Sequence, residues 1–161
     1  MMCPAGQRRK RYKPTRAVQA RINQRNAEKK LEGILRRNFS EHGQTLTVTY
    51  HQGGEPADET QAQRDAQYYA RRLKRLYRKA GIELKCLYAT ECGEGGGWRH
   101  SFVLTEGIDR AAIEKAWGKG DARFKSIEGA PDELAEISRR IAQGRRFYKR
   151  WSGSRNLEKP G

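Results

Sequence analysis

The apolar and polar positions of this chain follow two periods, and each period predicts a different kind of element. Residues 45–50 (TLTVTY) alternate polar and apolar side chains with a period of two, which is typical of a half-buried strand. Residues 60–81 repeat apolar side chains at helical spacing and end at Gly81, which predicts an amphipathic helix. The apolar positions of this predicted helix are Ala62, Ala66, Tyr69, Leu73, Leu76 and Tyr77.

Six further segments complete the predicted element order. They are a helix from Thr15 to about Arg37, strands over 82–91 and 98–106, a helix over 108–117 that begins near Asp109, a strand over 122–128 and a helix over 130–144. Asp58 or Thr60 is expected to cap the helix over 60–81. Helix crossovers on either side of an antiparallel hairpin predict an α+β sandwich of the split βαβ type.

One domain is expected, with a basic segment on each side of it. Residues 1–14 are basic and poor in apolar side chains, which predicts a disordered arm. Residues 15–144 hold all eight predicted elements and are expected to form a single α+β domain. Residues 145–161 are predicted to form a basic C-terminal tail, in which Tyr148 and Trp151 stand between Lys and Arg.

The charge balance indicates a polyanionic partner. The 161 residues include 34 Lys and Arg against 19 Asp and Glu, a formal net charge of +15, which favours nucleic acid. No apolar run approaches the ~20 residues that span a bilayer, and no apolar signal core follows the basic N-terminus. We therefore expect a soluble cytoplasmic protein without a membrane partner, whose Cys3, Cys86 and Cys92 are reduced thiols.

Positive charge concentrates on the first helix, the outer face of the second helix and the tail. From Arg8 to Arg37 the chain has twelve Lys and Arg and only two Glu. Such faces either are simply solvated or bind phosphates. The aromatic side chains of the tail either pack against the last helix or stack on unpaired bases. The candidate nucleic-acid-binding residues on these elements are Arg16, Arg21, Arg25, Arg71, Arg72, Arg75, Arg78, Lys79, Arg145, Arg146, Lys149, Arg150, Trp151 and Arg155.

Four ordered segments carry a family resemblance. They are NFSEHGQTLTVTY, LKRLYRKAGIELKCLYATECGEGGGW, RHSFVLTEGIDRAAIEKAWGKG and RWSGSRNLEKP. Over roughly residues 20–160 the chain resembles the rolling-circle replication initiators of bacterial phages, plasmids and integrative elements, which belong to the HUH endonuclease superfamily. The resemblance implies a ferredoxin-like antiparallel sheet, a His pair that binds Mg²⁺ or Mn²⁺, and a tyrosine that attacks a DNA phosphate in a bacterial host cell.

The strand that should hold the His pair departs from this family pattern. If residues 102–104 (FVL) align with the apolar residues after the pair, Arg99 and Ser101 stand at the ligand positions. His100 then points to the opposite face, because neighbouring side chains on a strand diverge. If the register moves by one, His100 is the first ligand and Phe102 occupies the second position. In either register the pair is incomplete, and Arg99 becomes a candidate phosphate contact.

The other site positions implied by the resemblance also differ from the family. Glu91 matches a carboxylate often found one strand over, which makes Glu91 and His100 the candidate metal ligands. Ile137 stands where the nucleophilic tyrosine is expected, and Arg140, a further candidate nucleic-acid-binding residue, stands where a lysine often follows. Tyr148, in the tail, is then the candidate nucleophile, with His100 as the other candidate catalytic residue.

The sequence favours a non-catalytic nucleic-acid-binding protein derived from a replication initiator. It would bind structured or single-stranded DNA or RNA through its Lys and Arg faces, and it would need no cofactor. One alternative is a residual nicking endonuclease that uses Mg²⁺ or Mn²⁺. Another alternative is an inhibitor of a host defence nuclease, similar to anti-CRISPR proteins, that binds the guide RNA or the nucleic-acid groove of the nuclease.

Overall fold

A computed structural model describes residues 15–93, 97–128, 130, 132–142 and 151–159. Within these ranges the chain forms four helices and five strands. They are α1 (Arg16–Phe39), β1 (Gly43–Thr49), α2 (Glu59–Lys79), β2 (Cys86–Cys92), β3 (Trp98–Thr105), α3 (Arg110–Trp117), β4 (Ala122–Ser126), α4 (Asp132–Ala142) and β5 (Ser152–Gly153).

The five strands form one antiparallel sheet in the order β4-β1-β3-β2-β5. The first four strands, connected through α2, a hairpin and α3, have the strand order 4-1-3-2 of a ferredoxin-like fold. The predicted α+β fold class is therefore confirmed. To this unit the chain adds α1 and α4, which pack together, and the short edge strand β5.

Each face of the sheet has its own core. Leu46, Phe102 and Leu104 pack with α2 and α3, while Leu87 and Val103 pack with α1 and α4. The two cores arise because alternate residues of each strand point to opposite faces. The sheet is consequently covered by helices on both sides. Along each strand, side chains alternate between the face that packs on α2 and α3 and the face that packs on α1 and α4.

Short polar side chains fix where the helices begin. Thr15 Oγ1 accepts a hydrogen bond from the Val18 N–H at 3.2 Å, and Asp58, rather than Thr60, caps α2 by accepting from the Gln61 N–H at 2.9 Å. α3 ends at Gly118, whose φ of 65° is the left-handed conformation that favours glycine. None of the helices within the described ranges combines the length and the apolar character that crossing a membrane requires.

Residues 151–159, which were expected to belong to the tail, pack onto the domain. β5 pairs with β2, and the Asn156 side chain donates to the Leu84 carbonyl at 3.0 Å. Trp151 and Leu157 pack against the core beneath α1 and α4. The sheet therefore ends on this side in a strand supplied by the C-terminal part of the chain.

Candidate nucleic-acid interface

The outer face of α2 is the most concentrated basic surface in the described structure. Residues 71–79 contain six Lys and Arg, and all six side chains are exposed. No Asp or Glu occurs between Asp65 and Glu83. The same helix turns Tyr69, Leu73 and Tyr77 into the core on its other side, so at 3.6 residues per turn the cations share the solvent side.

This charge is not compensated by nearby carboxylates. Arg36, Lys85 and Lys125, on other elements, each lie within ion-pair distance of a glutamate. In the ranges that the structure describes, none of the six cations at residues 71–79 does so. Arg72 donates to the Ala116 carbonyl at 3.0 Å, near the C-terminus of α3, and keeps its charge. A row of unpaired cations is well suited to bind a polyanion.

An exposed tyrosine lies within this basic surface. The Tyr68 side chain is 47 % exposed. The guanidinium carbons of Arg71 and Arg72 lie 5.8 Å and 4.9 Å from its ring centroid, within cation–π range. Tyr68 was not among the candidate residues predicted from the sequence, although the apolar period of the helix indicates its position. Tyr69 follows that period, so its neighbour Tyr68 must point away from the core.

A groove of about 810 Å³ separates α2 from the C-terminal segment. Arg71 and Lys74 line it from the helix, and Arg155 lines it from the opposite wall. The structure thus brings Arg155, a candidate from the predicted tail, close to the α2 surface. The other lining residues are Gln67, Ala70, Leu84, Cys86, Tyr88, Ser152, Gly153, Ser154 and Asn156.

Tyr88 and Cys86 form part of the apolar floor of the groove. The Tyr88 ring stacks on Phe102, with centroids 4.9 Å apart and an interplanar angle of 18°. Burial raises the pKa of Tyr88, while the Ser152 hydroxyl and the charge of Arg71 act against this rise. Burial also raises the pKa of the Cys86 thiol to about 12. Cys86 therefore stays protonated and unreactive, and it contributes only apolar surface to the groove.

The cations of α1 form a separate surface. Arg16, Arg21 and Arg25 are exposed in the N-terminal half of the helix, where no residue is buried. The C-terminal half of α1 packs on the face of the sheet opposite α2. The candidates on α1 are therefore not brought together with those on α2.

The structure also brings together three residues at the altered metal-site positions, Glu91, Arg99 and Ser101, with Arg140 at the position of the family's lysine. Glu91 Oε2 lies 2.9 Å from Arg99 Nε, and Glu91 Oε1 lies 3.6 Å from Arg140 Nε. Ser101 Oγ donates to Glu91 Oε1 at 3.3 Å. Ile137, at the expected tyrosine position, is buried in the core beside this cluster. Three elements, β2, β3 and α4, thus meet around one carboxylate.

This cluster does not fit a divalent cation. Both oxygens of Glu91 face guanidinium groups, and a bound Mg²⁺ or Mn²⁺ would have to displace Arg99 or Arg140. Over the described residues, no group of three or more His, Cys, Asp or Glu lies close enough to hold a metal. A hard cation with oxygen ligands needs several carboxylate or carbonyl groups, and this cluster has the single carboxylate of Glu91.

The pairing of Glu91 with His100 as metal ligands is corrected by the strand register. Glu91 lies opposite Arg99, and Thr90 lies opposite His100, in the antiparallel β2–β3 pair. Glu91 therefore points to the α1 and α4 face, whereas His100 points to the α2 and α3 face. The two candidate ligands are on opposite sides of the sheet and do not share a site.

His100 belongs instead to a buried hydrogen-bond chain. Its Nδ1 lies 2.8 Å from Thr90 Oγ1 and its Nε2 lies 2.8 Å from Tyr50 Oη. Tyr50 donates its only proton to Asp65 Oδ2 at 2.8 Å. Since Tyr50 must then accept from Nε2–H, His100 is the neutral Nε2 tautomer and Thr90 donates to Nδ1. Burial lowers the pKa of His100 to about 4, and the charge of Asp65 opposes this shift.

Of the remaining candidates in the tail, the described residues include only Trp151. Tyr148, Arg145, Arg146, Lys149 and Arg150 lie outside the described residues. Trp151 is partly buried against the core beneath α1 and α4, which matches the packing alternative and not the base-stacking one.

No family model matches the chain, and neither a curated protein nor a solved structure is significantly similar to it. Fold and surface together define an α+β protein with a ferredoxin-like core and, on α2, a basic helix face without ion-pair partners among the described residues.

Proposed function

We propose that this protein binds nucleic acid, without cleaving it, through phosphate contacts made by α2. The observation that carries the proposal is the row of six exposed Lys and Arg at residues 71–79 that has no ion-pair partner within the described structure. Cations that only keep a protein soluble need no clustering, and clustering them costs stability through mutual repulsion. Binding a polyanion offsets that cost, because the phosphates neutralise the cations and release counterions.

The non-cleaving part of the proposal rests on the Glu91 cluster and on His100. Glu91 is held between two guanidinium groups, and the lone histidine of the same strand lies on the other face in a saturated hydrogen-bond chain. This arrangement supports an initiator-like domain that retains a DNA- or RNA-binding surface and has lost the metal-dependent nicking step.

The binding surface is tested by charge reversal. We expect the triple variant Arg75→Glu, Arg78→Glu, Lys79→Glu to weaken binding of a fluorescein-labelled oligonucleotide by at least about tenfold, or 1.4 kcal/mol, in an anisotropy titration. These side chains are exposed and unpaired in the described structure, so the fold should be retained, which circular dichroism checks.

The matched control is the triple variant Arg16→Glu, Arg21→Glu, Arg25→Glu. It changes the net charge by the same amount on the surface of α1, on the other side of the sheet. Equal weakening by the two triple variants would contradict a binding surface specific to α2, and undiminished binding by the α2 variant would rule out this surface.

The absence of cleavage is tested separately on labelled single-stranded DNA with Mn²⁺. The wild-type protein should leave the strand intact. A cut that is lost in His100→Ala, or a protein–DNA adduct that is lost in Tyr148→Phe, would contradict the proposal.

A further inference from the structure

The groove beside α2 is lined by cations from two different parts of the chain. Arg71 and Lys74 reach it from the helix, and Arg155 reaches it from the C-terminal segment. Glu83 accepts a hydrogen bond from Asn156 Nδ2, on the opposite wall, at 2.9 Å. The Glu83 carboxylate is not among the residues that line the groove. Cations that converge on one groove from two sides favour a single anionic group between them.

The wall that carries Arg155 is held in place by hydrogen bonds. Ser154 Oγ accepts from the Cys86 N–H at 3.0 Å, and the Asn156 amide donates to the Leu84 carbonyl at 3.0 Å. The wall that carries Arg155 is thereby tied to β2 and to the residues just before it. The volume of the groove, about 810 Å³, lies in the range of small-ligand sites and is large enough for a nucleotide unit.

An exposed aromatic side chain on α2 lies next to one of these cations. Arg71 both lines the groove and lies 5.8 Å from the centroid of Tyr68. Tyr68 is nearly half exposed, and its ring points away from the core. Tyrosine rings next to phosphate-binding cations are the arrangement by which proteins hold unpaired bases, since every base has a face that can stack.

We infer that this groove binds a stretch of single-stranded nucleic acid, with one phosphate held by Arg71, Lys74 and Arg155 and a neighbouring unpaired base stacked on Tyr68. This inference rests on the proposed nucleic-acid binding and adds its substrate class: unpaired strands bind in preference to duplex. The cations of α2 alone offer only charge, which a duplex satisfies equally well, so the preference for unpaired strands comes from the groove and from Tyr68.

The experiment compares Tyr68→Ala with Tyr68→Phe, which keeps the ring. Anisotropy titrations use labelled 12-nucleotide oligothymidylate and oligouridylate as unpaired probes and a 12-base-pair DNA hairpin as the duplex probe. We expect Tyr68→Ala to weaken binding of an unpaired probe about 5- to 150-fold and to leave duplex binding within about twofold. Tyr68→Phe should bind all three probes as the wild-type protein does.

The groove is tested independently through Arg155, which lies on the wall opposite α2. Arg155→Ala should weaken binding of the unpaired probes more than binding of the hairpin. Equal losses on unpaired and duplex probes in both Tyr68→Ala and Arg155→Ala would overturn the inference, as would unchanged binding of the unpaired probes.

The two proposals fail in distinguishable ways. If the wild-type protein binds none of the probes at low salt, the proposed function itself is wrong. The wild-type protein could instead bind the hairpin with a strong salt dependence while Tyr68→Ala leaves binding of the unpaired probes unchanged. Binding of nucleic acid by the basic face of α2 would then be supported, and single-strand binding in the groove would be refuted.

Discussion

Replacing His100 by glutamine is expected to remove a pH-dependent part of the folding stability. His100 is fully buried, and both of its ring nitrogens are engaged, by Thr90 and Tyr50. Trp117 and Tyr50 also surround the ring edge-on, with centroids 5.5 Å and 5.6 Å away. The site therefore holds a neutral imidazole and leaves little solvent to stabilise a charged one.

The size of the effect follows from the pKa. Burial lowers the pKa of His100 from 6.5 to about 4. Between these values the unfolded chain binds a proton that the folded protein does not, so stability falls as the pH falls through 6.5 and levels off below about 4. At 1.36 kcal/mol per pKa unit the full loss is about 3 kcal/mol, of which about 2.5 kcal/mol appears between pH 7.5 and pH 4.5.

The assay is urea unfolding of the wild-type protein and of His100→Gln at these two pH values. Carboxylates titrate in both proteins and cancel in the difference, so the stability gap between them should shrink by about 2.5 kcal/mol at pH 4.5. Replacement of the exposed His51 by glutamine is the control and should keep the wild-type pH dependence. A constant gap, or an imidazole of His100 that titrates near 6.5 by NMR, would refute the reasoning.

Two further predictions concern the packing of this domain. Gly120→Ala should destabilise the protein by about 3 kcal/mol or more, because an added Cβ would overlap the Thr49 carbonyl oxygen. Gly97→Ala is the control in thermal melts, since no atom of the described residues lies within 4 Å of the Cβ it would add. Tyr69→Phe should cost about 1 kcal/mol in urea unfolding, because the buried hydroxyl donates to a backbone carbonyl of α3 at 2.7 Å. Tyr68→Phe, at the exposed neighbouring position, should leave stability unchanged, and equal effects of the two tyrosine substitutions would contradict the assigned faces.

Much of the fold is determined locally and could be read from the sequence. The caps at Thr15, Asp58 and Asp109 and the stop at Gly118 lie where short-range hydrogen bonding and left-handed backbone require them. Period-two alternation also places neighbouring residues of β3 on opposite faces. The order of elements then leaves few topologies for the sheet.

The partners of the site residues could not be read from the sequence. His100 bonds to Tyr50, which is fifty residues away, and only the pairing of β1 with β3 brings the two rings together. Glu91 meets Arg99 through the register of β2 and β3, and meets Arg140 through the packing of α4. Such contacts depend on tertiary structure and leave no periodic signal.

The C-terminal edge strand was missed for a related reason. β5 has only two residues, and the surrounding segment is basic and without an apolar period, so composition predicts a tail. Its attachment comes from Trp151 and Leu157, two isolated apolar side chains that pack beneath α1 and α4. The C-terminal segment forms the second wall of the groove, so the groove could not be predicted from the sequence either.

The most direct test of the central claim is the salt dependence of binding to a labelled single-stranded oligonucleotide. If α2 makes about four phosphate contacts, the logarithm of the association constant of the wild-type protein should fall against the logarithm of KCl concentration with a slope of about −3, at roughly −0.7 per contact. Removing three contacts with the Arg75, Arg78 and Lys79 reversals should reduce the steepness by about 2. A wild-type slope near zero, or the same slope in both proteins, would contradict the claim that the basic face of α2 binds nucleic acid.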